Sequence, residues 1–291
     1  MIKDVLHDAK KRHVAVGHFN ISDSTQFNAI VDAAVELNLP VIIGVSEGEE
    51  DFLRIENAVA LVRAARTARG TPVFLNADHH HTTEACKKAI DAGFDSVIFD
   101  GVRLPLEENI AKTKEVVEYA RRTEEKTGRQ IVVEAELGYI GTSSKLLDKI
   151  PDDVLQASLP TPEQARDFVE QTGVDALAPA VGNLHGMLKG MSNPQLQIDL
   201  IKRIRQVLPD THLVLHGGSG VSDEDFKEAV SAGMNCVHIN TEIRKAYRFA
   251  IEESLRKDPE QIAPYKYFAQ GHEAVKETVR NRLRLFAGID Y

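Results

Sequence analysis

The chain reads as short, almost continuously apolar runs separated by longer stretches with helical period. The apolar runs are Val14–Phe19, Val41–Val45, Val73–Ala77, Ser96–Phe99, Ile131–Ala135, Ala176–Ala180, Leu213–Leu215 and Cys236–Ile239, eight in all. Runs this short, with little polar alternation, predict strands covered on both faces, as in a parallel sheet wrapped by helices. The intervening segments carry helix ends. Thr161-Pro162-Glu163-Gln164 supplies an N-cap, a proline at the first helical position and a capping-box glutamine. Ser222-Asp223-Glu224-Asp225 sets acidic side chains in a first turn, where the helix dipole favours them.

Two segments echo one another, Ala89–Asp100 and Ala229–Asn240. In each, an apolar helix ends at a glycine suited to the left-handed conformation, Gly93 or Gly233, and a buried strand follows at once. Repetition of this helix-to-strand unit predicts a (β/α)8 TIM barrel, an α/β fold, with extra C-terminal helices. An open doubly wound sheet would need a phosphate fingerprint after its first strand, and Gly17-His18-Phe19-Asn20 is not one. Residues 1–291 are expected to form a single TIM-barrel catalytic domain. Residues 258–291 lie beyond the eighth unit as a helical extension for barrel capping or subunit contact.

Composition narrows the partners. A net charge of −9 argues against nucleic acid, which needs a clustered basic face, but leaves room for a local phosphate site. The two cysteines, Cys86 and Cys236, sit in apolar stretches, so a reducing cytoplasm is expected rather than a disulfide framework. No signal peptide or membrane span is expected from the polar N-terminus and the absence of long apolar runs.

Barrel enzymes carry their chemistry at the C-terminal ends of the strands. The eight runs deliver, in order, His18-Phe19-Asn20; Ser46-Glu47-Gly48; Asp78-His79-His80-His81; Asp100-Gly101; Glu134-Ala135-Glu136; Gly182–Gly186, which contains His185; His216-Gly217-Gly218-Ser219-Gly220; and His238-Ile239-Asn240-Thr241. Imidazole is the usual ligand of catalytic zinc, which takes three protein ligands and keeps one position open. A lone histidine at a strand end is more often a hydrogen-bonded structural residue than a ligand, but His79, His185 and His216 converge on one rim. Side chains alternate faces within Asp78–His81, so His80 is expected to point away, with His81 beside the metal or opening the next helix. The glycine-rich turn Gly217–Gly220 runs into a helix near Ser222, where bare N–H groups suit a phosphate. Lys189 and Arg244 are candidate cations for it.

Four motifs resemble the class II, zinc-dependent fructose-bisphosphate aldolase family, which includes tagatose-bisphosphate aldolases. They are Asp78-His79-His80, Val133–Gly138, His185-Gly186-x-x-Lys189 and Leu215–Gly220, and the likeness runs from about Val14 to Arg248. The resemblance implies reversible cleavage of a ketose 1,6-bisphosphate to dihydroxyacetone phosphate and glyceraldehyde 3-phosphate, in glycolysis and gluconeogenesis. Fructose 1,6-bisphosphate is the expected substrate and its tagatose epimer or a related ketose phosphate the alternative. It implies zinc on His79, His185 and His216, with Asp100 and Glu136 matching positions for a second divalent or a monovalent cation. Asp78 would transfer the proton. Asn20, Ser46, Gly186, Lys189, Gly217, Gly218, Ser219, His238, Asn240, Thr241 and Arg244 would bind substrate, and the assembly would be a homodimer or homotetramer. No strand end carries a lysine, which agrees with a metal in place of a Schiff base. Two departures stand out: His238 replaces the asparagine often found there, and the loop after Gly138 lacks the usual acidic residues, leaving Asp148 or another carboxylate as substitute. A metal-dependent barrel hydrolase, suggested by His79-x-His81, and a non-catalytic sugar-phosphate-binding barrel are the remaining alternatives.

Overall fold

A computed structural model describes residues 1–142 and 144–289; Ser143 of the loop after Gly138, and Asp290 and Tyr291 of the C-terminal extension, lie outside the described residues. Eight strands, β1 (Val16–Asn20), β2 (Val41–Ser46), β3 (Val73–His80), β4 (Ser96–Phe99), β5 (Val132–Leu137), β6 (Ala176–Pro179), β7 (His212–Leu215) and β8 (Met234–Ile239), close into a barrel in the order β1-β8-β7-β6-β5-β4-β3-β2. Every neighbouring pair is parallel. With helices between the strands this is the expected (β/α)8 barrel. All eight apolar runs became strands, and the largest boundary difference is in β3, which continues through Asp78-His79-His80.

The predicted helix ends hold. Thr161 accepts from the Gln164 backbone while Gln164 reaches back to Thr161, and Ser222 accepts from Asp225 N. Gly93 and Gly233 end their helices at φ +108° and +121°.

Alternation divides the strand side chains between two cores. Phe19, Ile43, Leu75, Val97, Val133, Leu177, Leu215 and Val237 face outward into the layer shared with the helices. The other parity faces the barrel axis. At the N-terminal end it is apolar (Val16, Ile42, Phe74, Val132, Ala176, Val214 and Cys236), and the helix Ile2–Lys11 plugs it with Ile2, Leu6 and Ala9. Their i, i+4, i+7 spacing puts one face of that helix on the barrel floor. Burying Ile2 and Leu6 stabilises this lid by about 1.5–3 kcal/mol each. The sequence reading assigned no element there.

At the far end of the chain the helices Pro264–Tyr267 and Ala269–Phe286 follow the eighth unit. Val275, Val279, Leu283 and Phe286 are buried at helical spacing, and this helix packs on Ser24–Leu37 and Thr241–Lys257. Among the described residues, no helix is long and apolar enough to cross a membrane.

Candidate active site

Two residues further along the inward parity the barrel interior turns from apolar to polar. Val16 is followed by His18 and Asn20, Phe74 by Asn76 and Asp78, Val132 by Glu134 and Glu136, Val214 by His216, and Cys236 by His238 and Asn240. Nearly all are buried. The C-terminal half of the barrel is thus a shaft lined with ionisable and amide groups.

Strict alternation would turn His79 outward, because Asp78 already faces in. The chain avoids this with a local break. His79 adopts φ +51°, and the β3–β4 register shifts between Ala77 and His80. A left-handed histidine is uncommon and costs energy, and such strain concentrates at functional sites. It brings Asp78 and His79 to the same side. His80 points away, as expected, and its Nε2 lies 3.1 Å from Glu50 Oε2. His81 is half exposed at the cleft, its backbone N–H donating to Glu47 Oε1 (3.1 Å) and its Nδ1 3.7 Å from Asp100 Oδ2, and among the described residues it joins no close group of metal-ligating side chains with His79.

The three expected histidines meet. His79 stands 4.8 Å from both His185 and His216 by ring centroid, and one ring nitrogen of each lies within 4.8 Å of the other two. Their outer partners leave one nitrogen free on two of the rings. His185 Nδ1 is 2.7 Å from the Gly141 carbonyl, to which it donates, which frees Nε2. His216 Nε2 is 2.6 Å from Glu134 Oε1, and its Nδ1 has no hydrogen bond. Glu136 Oε1 lies 2.8 Å from His79 Nδ1 and 3.0 Å from His216 Nδ1, yet makes no hydrogen bond with either. His216 Nδ1 and Glu136 Oε1 are thus left buried and close together without a hydrogen bond. That donor set fits a divalent cation with imidazole ligands. A second group, His79, Asp100 and Glu136, is equally close, with Asp100 Oδ2 3.2 Å from His79 Nδ1.

Electrostatics separate the rings. Burial opposes a charge on His79, but the carboxylates of Asp78 and Glu136 outweigh it and hold its pKa well above the ordinary range. Burial likewise opposes charging His216, and Glu136 and Glu134 overcome it to bring the ring to about 10. Burial, aided by the neighbouring His79, lowers His185 to about 4. Burial works against the ionised carboxyl of Asp78 too, but His79 and His238 keep its pKa well below the usual carboxylate value. Asp78 Oδ2 accepts from the Asn20 amide (2.8 Å), whose second N–H goes to Glu49 Oε2 (2.8 Å).

Above the histidines opens a cleft of about 280 Å³ lined by Ser46, Glu47, Asp78, His79, Asp100, Thr142, Ser144, His185, Asn240 and Arg244. A narrow recess continues to Gly186, Gly217, Ser219, His238 and Thr241. A larger surface depression between Leu159–Glu163 and the helix Ile198–Val207 contains none of these groups. Gly217 and Gly218 admit no side chain, since an added Cβ would meet Leu184 O at 2.4 Å and His238 O at 2.8 Å. Ser219 Oγ accepts from the backbone N–H groups of Asn240 and Glu242. Lys189 is exposed and paired with Asp148 (2.9 Å). Asp148 therefore stands outside the cleft, and Glu47, Asp78 and Asp100 are its described carboxylates. Arg244 is paired with buried Glu49, which also accepts from Ser46 N and Oγ.

Sequence reasoning placed His18 at the end of the first strand without a role, and missed Glu49 and Asn193. His18 shares parity with Asn20 and reaches the same shaft. Glu49 arrives from the helix Glu47–Leu53, outside any strand end. Asn193 ties the loop after β6 to the loop after β7, accepting from Leu188 N and donating to the carbonyls of Gly186 and Ser219. Parity along β1 was a usable signal for His18; no sequence signal marks Glu49 or Asn193.

The family model for fructose-bisphosphate aldolase class-II matches residues 1–290. A fructose-bisphosphate aldolase of Staphylococcus aureus is 38% identical over 288 residues, covering 98% of this chain and 96% of that one. One from Geobacillus stearothermophilus matches at the same identity and coverage. Among solved structures, the YdjI aldolase of Escherichia coli K12 superposes with a TM-score of 0.80 at 31% identity, over 98% of this chain and 96% of that one. A putative fructose-1,6-biphosphate aldolase from Coccidioides immitis gives 0.81 at 27%, over 97% and 94%.

Proposed function

The chain belongs to the class II fructose-bisphosphate aldolase family and is a carbon–carbon lyase, and from that premise we propose that it cleaves a ketose 1,6-bisphosphate with the help of zinc. The products are dihydroxyacetone phosphate and glyceraldehyde 3-phosphate. Fructose 1,6-bisphosphate is the first substrate to test and the tagatose epimer the second. The observation that carries the reading is the convergence of His79, His185 and His216, with His216 Nδ1 and Glu136 Oε1 beside one another without hydrogen-bond partners. The hydrolase and non-enzymatic readings fall with the family assignment.

In this proposal His79, His185 and His216 hold the zinc, and Asp100 and Glu136 hold a second divalent or a monovalent cation. Zinc supplies a Lewis acid that polarises the ketone carbonyl. The protein does the rest. Asp78 takes the hydroxyl proton as the carbon–carbon bond breaks. Asn20 fixes one of its oxygens. Gly186, Gly217, Gly218 and Ser219 bind the dihydroxyacetone-phosphate half through backbone N–H groups and the Ser219 hydroxyl, with Lys189 exchanging Asp148 for the phosphate. Ser46, His238, Asn240 and Thr241 line the sugar path, and Arg244 takes the distal phosphate in competition with Glu49. The enzyme works in the cytoplasm as a homodimer or homotetramer. The solvent-facing Phe249, Leu255, Ile262 and Tyr265 of its C-terminal part support that assembly.

Triose-phosphate release from both ketose bisphosphates, followed by a coupled dehydrogenase with and without chelator, tests the proposal. Cleavage abolished by chelator and restored by zinc is expected. Chelator-resistant cleavage would remove the metal, and no cleavage of either would remove the substrate class.

A further inference from the structure

Beside the proposed ligands the shaft holds a column of imidazoles. His18 and His238 stack with ring centroids 3.5 Å apart and planes 5° from parallel, and His238 also stacks on His216 at 4.2 Å and 26°. Both His18 and His238 are buried. The socket for His18 is built by its neighbours. An added Cβ at Gly44 would lie 2.2 Å from His18 Cε1, so only glycine on β2 leaves room for the ring. Asn76 Nδ2 stands 3.0 Å from His18 Nε2.

Nitrogens of His18 and His238 and an oxygen of Asp78 fall within 4.8 Å of one another, which raises the question of a second metal. The stack argues against it. With ring centroids 3.5 Å apart, an ion at about 2.1 Å from both rings would sit roughly 55° out of each ring plane, where imidazole has no lone pair. The stack has a different consequence, seen at Asp78. His238 Nδ1 faces Asp78 Oδ1 at 3.5 Å, too long for a good hydrogen bond, and that oxygen makes no hydrogen bond, with His79 Nε2 3.7 Å away as its other neighbouring ring nitrogen. Asp78 Oδ2 is already held by Asn20.

We propose that His18 is a positioning residue, whose stacking fixes the ring plane of His238 so that its Nδ1 addresses Asp78 Oδ1. Asn20 and His238 then hold the two carboxylate oxygens from two directions, and the proton carrier keeps one orientation at the cleft. The contact shortens when substrate closes the site, as catalytic hydrogen bonds often do. His18 touches no substrate; it acts through His238. The role in turnover rests on the proposed function of Asp78, whereas the orientation of His238 does not.

The test is a double-mutant cycle of His18→Ala and His18→Gln in wild-type and His238→Asn backgrounds, reading kcat, KM and zinc per chain. In the wild-type background His18→Ala is expected to lower kcat roughly tenfold or more, with KM and zinc unchanged. In the His238→Asn background the same change is expected to cost less than about twofold, because coupled residues are not additive. The planar amide of His18→Gln is expected to recover part of the loss. Equal losses in both backgrounds, or an unchanged kcat, overturn the proposal. The ring ¹⁵N shifts of His238 decide it without activity: they move in both His18 variants if the stack orients the ring, and unmoved shifts overturn it. Should His18→Ala fail to fold, His18→Gln carries both arms. A wild-type protein that cleaves no ketose bisphosphate defeats the functional reading alone, and the shifts still decide this one.

Discussion

Zinc uptake by the metal-free protein should expel about two protons at pH 7. A coordinating imidazole must be deprotonated, so the count depends on which rings carry a proton beforehand. His185 does not, since burial and the adjacent His79 lower it to about 4. His216 does: burial opposes its charge, but Glu136 and Glu134 raise it to about 10. His79 does as well, because Asp78 and Glu136 outweigh burial and hold it well above its ordinary value. Two positive charges leave as two arrive. Deprotonating His216 at pH 7 opposes binding by on the order of 4 kcal/mol, at about 1.4 kcal/mol per pH unit. Apparent affinity should therefore climb by about two decades per pH unit just above neutrality. Calorimetric zinc titrations in buffers of different ionisation enthalpy read the proton number directly. Glu136→Gln should reduce it, since Glu136 is the largest favourable influence on His216 and the second on His79. Release of fewer than one proton, or affinity that is flat with pH, would refute the charge assignment.

Asp78→Ala should retain zinc and lose turnover by roughly 10²–10⁴-fold, the usual contribution of a positioned base; His216→Ala should lose the metal instead, and metal analysis beside steady-state kinetics separates the two. Gly44→Ala should destabilise by about 1–3 kcal/mol in urea titration, as overpacked cores do, because its Cβ would meet the His18 ring at 2.2 Å. The metal-free protein should lose stability as pH rises. His216 is raised above its unfolded value of about 6.5, so its contribution is full below that and is lost on the way to about 10. Urea midpoints from pH 7 to 10 should fall more steeply without zinc than with it; parallel profiles would contradict this.

How far the sequence could be read depended on range. Period and caps are local, and they yielded all eight strands, the box at Thr161 and the glycine stops at Gly93 and Gly233. Strand-end residues were legible for a related reason, because parallel strands in a barrel bring all their C-terminal ends to one rim. Side-chain direction was less so. Alternation excluded His80 correctly, but the inward turn of His79 depends on a left-handed φ that no neighbouring glycine or asparagine announces. Contacts arriving from elsewhere were illegible. Glu49 reaches Arg244 across 195 residues of chain, and that pairing occupies the cation expected for the distal phosphate. The floor helix Ile2–Lys11 escaped notice because only Ile2, Leu6 and Ala9 of its ten residues are buried.

The two halves of the barrel interior explain each other. A shaft containing His18, Asp78, Glu134, Glu136, His216 and His238 is expensive to bury, since every group is desolvated and His18, Asp78, Glu136 and His216 each keep a polar atom without a hydrogen bond. Opposite charges within the shaft offset part of that cost, which is why the carboxylates and the two charged imidazoles face one another. The remainder falls on the apolar floor and its helical plug. Replacing Glu134 and Glu136 by apolar residues is thus expected to tighten folding only if His216 and His79 are replaced with them. Changing the carboxylates alone takes away the opposite charges that raise His79 and His216 and leaves buried imidazoles that must give up their protons on folding.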